Sequence, residues 1–256
     1  MHALILILIN MTVSITLALG GLYLVRKRFP DSIRQANNEV AGFFMSVIGV
    51  MYAVLMAFVI VVVWQQFDDT RLTTEREGNA LAALYRLVGA LPEPDGSRIR
   101  GILREYAQTM IDEEWPAMAR GQSSAAAQDV ADRVWVAVAR RQTASDDERL
   151  IQAEVLQRLN DLNDNRRMRV SAAGAGLPAV MWMLLIGGAV VSVVFTYFFS
   201  TPNWRAQFGL TALYVASIVF VLVLARLLDY PFAGDVHVSS ESFERALEAF
   251  NRLDPR

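Results

Sequence analysis

Four long apolar runs dominate this sequence: Ala3–Val25 and Val40–Trp64, which carry no charge, Pro178–Phe199, and roughly Phe208–Leu228, whose one charge is Arg226 near its end. The first two are 23 and 25 residues long. A hydrocarbon core about 30 Å thick is crossed by about 20 apolar helical residues, so each run is long enough to span it. None alternates apolar with polar residues as a membrane β-strand does. A lipid-exposed helix satisfies its own backbone groups, so the runs are expected to be four transmembrane helices. The first is expected to be a retained helix and not a cleavable signal, since its apolar stretch is long and its positive charge, Arg26-Lys27-Arg28, follows the run instead of preceding it. Aromatic side chains sit at the span ends, as Trp64, Trp182, Tyr197-Phe198-Phe199, Trp204 and Tyr230. Such rings favour the headgroup level.

The expected class is therefore all-α, a multi-pass membrane protein with four transmembrane helices. Its organisation is read as 1–64 (spans 1 and 2), 65–177 (a helical extramembrane insertion), 178–230 (spans 3 and 4) and 231–256 (a tail helix). The two short connections carry Arg26, Lys27, Arg28, Arg34 and Arg205, and the other side carries Arg71, Arg76, Arg166, Arg167 and Arg169 near the membrane. Because short loops weigh more in the positive-inside rule, the charges alone place the short loops in the cytoplasm.

The insertion holds 15 Arg, no Lys and 18 Asp+Glu. Span 2 has no breaker after Trp64, and Leu81, Leu84, Tyr85, Val88 and Leu91 continue its helical spacing up to Pro92 and Pro94. Val40–Leu91 thus reads as one rod of 52 residues, about 78 Å long. Further helices are expected near Ser97–Trp115, ended or kinked by Pro116, and near Ala125–Gln142. Another begins at Ser145, where Ser145-Asp146-Asp147-Glu148 forms a capping box. Its stripe is Ile151, Val155, Leu159 and Leu162, and Ala172–Gly176 reads as a small-residue hinge. The tail helix, near Ser242–Leu253, carries Phe243, Leu247 and Phe250 on one face.

Chemistry is sparse. The net charge of −2 disfavours a nucleic-acid partner. There is no cysteine and only two histidines, His2 and His237. P-loop, nucleophile-elbow, HExxH and EF-hand patterns are missing, so no cofactor, metal or catalytic residue is assigned, and an enzyme is not expected. The acidic pairs Asp68-Asp69 and Glu113-Glu114 read as solvated faces or intersubunit partners. No ionisable residue lies mid-span, which disfavours coupled transport and leaves a passive pore, an anchor or a sensor.

Span 2 has two distinctive stripes. Gly42, Ser46, Gly49, Ala53 and Ala57 would let helix backbones approach closely. Phe43, Val47, Val50, Val54, Phe58 and Val61 form a bulky apolar stripe. That stripe faces lipid or a neighbouring helix, or, if several copies surround an axis, forms a constriction that gates by dewetting.

Trp64-Gln65-Gln66-Phe67-Asp68 resembles the Trp-Asn-Gln-Tyr-acid stretch that ends the pore helix of animal bestrophins. The order of two spans, helical insertion, two spans and tail is similar as well. The chain more closely resembles the bestrophin-like domain family of bacterial membrane proteins, through Asn37-Asn38-Glu39, the Trp64–Phe67 stretch, Glu75 to Arg86, Tyr106 and Glu114-Trp115-Pro116. The resemblance implies a pentameric anion channel with a hydrophobic neck on span 2, at Ser46, Val50 and Val54, with Phe58 continuing the stripe. Ser46 is small and polar where the family neck is bulky. Val62-Val63 stands where an arginine precedes the tryptophan. No stretch matches the calcium-binding acidic cluster, so calcium gating is not carried over. The resemblance also implies a cytosolic insertion, opposite to the charge rule. The implied partners are the lipid bilayer, further copies of the chain (a pentamer favoured) and small inorganic anions. In such an assembly Arg71 and Arg76 would repeat as cationic rings, unless Asp68, Asp69, Glu75 or Glu77 neutralise them on the same helix. The alternative is a non-conducting scaffold or sensor that uses the insertion as an interaction module.

Overall fold

The computed structural model describes residues 2–29, 38–143, 145–199, 201 and 203–254. Arg34 and Asn37 lie outside the described residues. All regular structure among these residues is helical: α1 (His2–Arg28), α2 (Asn38–Val88), α3 (Asp95–Thr109), a π-helical turn (Met110–Glu114), α4 (Trp115–Met118), α5 (Ala125–Ala139), α6 (Asp146–Gly174), α7 (Ala179–Thr196), α8 (Trp204–Leu228) and α9 (Glu241–Leu253). Helices α1, α2, α7 and α8 are long and apolar enough to cross a membrane. The chain divides into two compact units, Met1–Gln65 with Leu177–Asp229, and Gln66–Gly176 with Tyr230–Arg256.

In the first unit, α1 packs against α8, and α7 against α8. Two glycines admit tyrosine rings. A Cβ on Gly188 of α7 would lie 2.6 Å from the Tyr52 ring, and one on Gly21 of α1 would lie 2.7 Å from the Tyr197 hydroxyl. The Tyr52 hydroxyl donates to the Leu185 carbonyl at 2.9 Å. Burying that oxygen without a partner would cost free energy, so the bond fixes the register of α2 on α7. Tyr197 is accordingly buried and packs inward, where a headgroup anchor was expected. Trp64, Phe198 and Trp204 do remain exposed.

Asp229, directly after α8, is buried. It accepts from the Leu177 backbone N–H at 2.6 Å and from the Trp182 indole at 3.1 Å. Arg226, three residues earlier, stands farther away at 3.9 Å. One carboxylate thus fixes the entry of the chain into α7, by holding the residue before its Pro178 cap and the Trp182 ring near its start.

In the second unit the apolar spacing is realised as expected. Leu81, Leu84, Tyr85 and Val88 of α2 meet Ile99, Leu103 and Tyr106 of α3, Val130, Val134 and Val138 of α5, and Val155, Leu159 and Leu162 of α6. The tail helix closes this core with Phe243 and Phe250, and Phe250 stacks on Tyr85 at 3.8 Å between ring centres. Ser145 caps α6 through its hydroxyl, which accepts from the Glu148 N–H. The Glu148 carboxylate also receives Arg141 at 2.8 Å. Two boundaries differ from the sequence reading. The rod ends at Val88, before the prolines, and the helix through Pro116 continues to Met118. The irregularity there is the π-helical turn before the proline, since a proline in a first helical turn removes no hydrogen bond. Ala172, Ala173 and Gly174 are helical, so the expected hinge is confined to the residues after them.

Candidate functional site: the outward face of α2

The face that α2 uses within the chain consists of Tyr52, Met56, Val59 and Val63, all buried. At about 100° per residue, Phe43, Val50, Val54 and Val61 lie within about 40° of one another and about 180° from that face. Val50 is 64% and Val54 50% exposed, so the bulky stripe has no partner inside the chain. Ser46 is exposed on the same side. Its hydroxyl donates to the Phe43 carbonyl at 2.7 Å, which occupies its proton and makes it less polar than its identity suggests. Phe58 is 68% exposed but lies about 60° round from the stripe centre, at the flank of the face.

The small-residue stripe does not mediate close packing within the chain. Nothing approaches within 4 Å of a Cβ placed on Gly49, and only Phe199, at 3.9 Å, approaches one on Gly42. The close approaches occur at Gly21 and Gly188, whose cue in the sequence is the Gly20-Gly21 and Gly187-Gly188 pairs.

The two arginines behave differently. Arg71 pairs with Asp68 at 2.9 Å and with Glu75 at 2.8 Å, the same-helix neutralisation considered above. Arg76 is exposed, and among the described residues it has no ion-pair partner. Glu77, offered above as a partner on the same helix, faces the opposite way, into the core.

Here the second unit holds an ionic centre that the sequence reading missed. Glu77 and Arg169 are both fully buried and bound through two hydrogen bonds of 2.5 and 2.9 Å. The Tyr106 hydroxyl donates to the same carboxylate at 2.8 Å. The Arg169 guanidinium lies 4.8 Å from the centre of the Trp115 ring and 5.6 Å from that of Phe243, within cation–π range. Beside it, buried Glu114 binds Arg166 at 2.9 Å, and Arg166 also reaches Gln128 at 2.7 Å. The π-helical turn contains Glu114 and turns it inward next to Trp115, whose indole donates to the Val238 carbonyl at 3.0 Å. Glu114 is thus an internal partner, not part of a solvated acidic face. Among the described residues no three His, Cys, Asp or Glu side chains converge as a metal site requires.

Burial opposes the charge on Arg169, but attraction and hydrogen bonding by Glu77 prevail and hold its proton more tightly than usual. Burial, then the Glu77 charge, pushes the Tyr106 phenol well above its ordinary value. An acid whose folded value is raised stabilises the fold fully below its unfolded value, near 10, and loses that contribution as pH climbs toward the folded value. The Tyr106→Phe variant is therefore expected to be less stable by about 1 kcal/mol at neutral pH, since one donor to Glu77 is lost. It should also show a shallower decline in melting temperature above pH 10. Parallel decline in both proteins would mean that Tyr106 is not the group responsible.

The fold and the α2 face define a four-span helical membrane protein with a helical unit inserted between its second and third spans. Residues 12–243 match the Bestrophin-like domain family, and the chain belongs to that family. Its fold is similar to crystal structures of a bacterial bestrophin homologue from Klebsiella pneumoniae. Two point variants of that protein match at TM-scores of 0.74 and 0.72, with 11% and 12% identity. The first match covers 99% of this chain and 98% of the other, and the second 98% and 99%. A crystal structure described as a membrane protein variant matches at 0.70 with 13% identity, covering 98% of this chain and 99% of the other. No curated protein sequence matches. Of the residues that carried the resemblance, Glu77, Tyr85, Tyr106, Glu114 and Trp115 lie in the core of the second unit, so part of the motif is structural.

Proposed function

We propose that the chain forms a homo-oligomeric, passive anion channel in a bacterial plasma membrane, with a pentamer as the favoured assembly. Residues 1–64 and 178–230 form the spanning part, while 65–177 and the tail 231–256 form the extramembrane part. The observation that supports this reading is the unpartnered apolar stripe of α2, which faces away from every intrachain packing surface. Copies of α2 arranged about an axis would present Val50 and Val54 as a hydrophobic neck, with Ser46 on one side and Phe58 on the other. A narrow apolar ring excludes water until it widens, so it gates without any charged group in the span. Arg76 supplies an unneutralised positive ring that favours anions, whereas Arg71 contributes little because two carboxylates already hold it. Purified protein in liposomes is expected to release chloride. Release no faster than from empty liposomes would discard the proposal.

A non-conducting scaffold is the second reading. It is favoured by the exposed Trp135, Val136 and Leu150 of the second unit, apolar side chains of the kind that partner surfaces use. The liposome measurement separates the two readings.

A further inference from the structure

Helix α1 ends, and α8 begins, at a basic cluster. The Arg26 guanidinium donates to the side-chain carbonyl of buried Gln207 at 2.9 Å, and Gln207 in turn donates to the Phe199 carbonyl at 2.5 Å. This pair joins the last turn of α1 to the first turn of α8. Around it stand Lys27, Arg28 and Arg205, all exposed, and none has a carboxylate partner among the described residues. The only carboxylates near this end in sequence are Glu39 and Asp31, and the latter lies outside the described residues. Exposed rings border the cluster: Phe29, Phe198 and Trp204. The Arg205 guanidinium lies 5.5 Å from the Trp204 ring centre.

Helix energetics account for part of this arrangement only. Arg26, Lys27 and Arg28 in the last turn of α1 complement the negative end of its dipole. Arg205 does the reverse. It occupies the first turn of α8, where the dipole is positive and a cation is unfavourable. The Asn203 side chain already holds the Arg205 and Ala206 backbone N–H groups, so what the joined ends of α1 and α8 offer a ligand is three cations without carboxylate partners, next in sequence to exposed aromatic rings. Such a surface attracts a phosphate whose attached chains lie against apolar rings.

We propose that the α1–α8 end binds the phosphate of an anionic phospholipid, with Lys27, Arg28 and Arg205 as its cationic contacts and Trp204 and Phe29 against the acyl-glycerol region. This site is separate from the α2 neck and does not depend on conduction.

The test adds phosphatidylglycerol, phosphatidylcholine or inorganic phosphate to the detergent-solubilised full-length protein, and reads melting temperature and lipid retained by native mass spectrometry. Phosphatidylglycerol is expected to bind and to raise the melting temperature, and the other two are not. Each basic residue near an anionic surface strengthens binding about fivefold, so the Lys27→Gln/Arg28→Gln/Arg205→Gln variant is expected to bind about a hundredfold more weakly. The charge-conserving Lys27→Arg/Arg28→Lys/Arg205→Lys variant should stay within about threefold of the parent, which separates lost charge from damaged folding. An equal effect from inorganic phosphate would make this a free-anion site and overturn the lipid assignment. Equal binding of phosphatidylcholine, or unchanged affinity in the neutralised variant, would overturn the site itself.

Discussion

Arg169→Ala is expected to destabilise the second unit by about 3–5 kcal/mol, because it leaves a buried carboxylate without its counter-ion. Glu77 is fully buried, and in the variant only the Tyr106 hydroxyl would still hold it. The guanidinium also lies against both the Trp115 and Phe243 rings, so alanine opens a cavity as well. Exposed pairs of the same unit, such as Arg158 with Glu154 at 3.0 Å, contribute about 0–1 kcal/mol each. Arg158→Ala is therefore the control. Near-ultraviolet circular dichroism of the purified protein should show the melting temperature falling by about 10 °C or more for Arg169→Ala, and by little for Arg158→Ala. The Glu77→Leu/Arg169→Met double variant should recover much of the loss, since removing both charges removes the desolvation penalty. Similar small shifts in both single variants would show that the buried pair is dispensable.

The second large effect is on conduction. Val54→Ala, repeated in every copy of a symmetric assembly, would widen the proposed neck and remove apolar surface at one level. A fall of about 1.4 kcal/mol in the barrier raises a rate tenfold. Chloride release from liposomes is accordingly expected to rise by about an order of magnitude. The same substitution at Met183, exposed on α7, should leave the rate unchanged. If α2 instead faces lipid, Val54→Ala and Met183→Ala would be equally silent.

Much of the fold could be read from the sequence because its elements are long and strongly patterned. Long apolar runs identified the four spans, and spacing alone identified the core stripes of α6, α9 and the end of α2. The fine structure was less accessible. The Tyr52–Gly188 and Tyr197–Gly21 contacts join residues more than a hundred positions apart, and no periodicity couples a ring on one helix to a glycine on another. The same holds for Glu77 and Arg169. Glu77, directly after Arg76 and beside the charges of residues 68–76, looks like part of a local ion-pair group, and only tertiary packing turns it inward. The π-helical turn before Trp115 has no sequence signal that propensity could register. For the candidate site, the stripe on α2 was legible as a stripe. What faces it depends on the partner, and one chain's periodicity cannot distinguish lipid from another copy.

The chain contains no cysteine, so a single introduced thiol reports on one position only. Oxidising membranes that contain the Val54→Cys variant tests the symmetric α2 neck most directly. Thiols in adjacent copies around a narrow axis come within disulfide range, and the Cα separation in a disulfide rarely exceeds about 7 Å. The account predicts rapid conversion to covalent dimers for Val54→Cys, up to about four copies in five because a ring of five leaves one thiol unpaired, and none for Met183→Cys. A Val54→Cys protein that stays monomeric under oxidant, while a fluorophore on that thiol is quenched by labelled acyl chains, would contradict it.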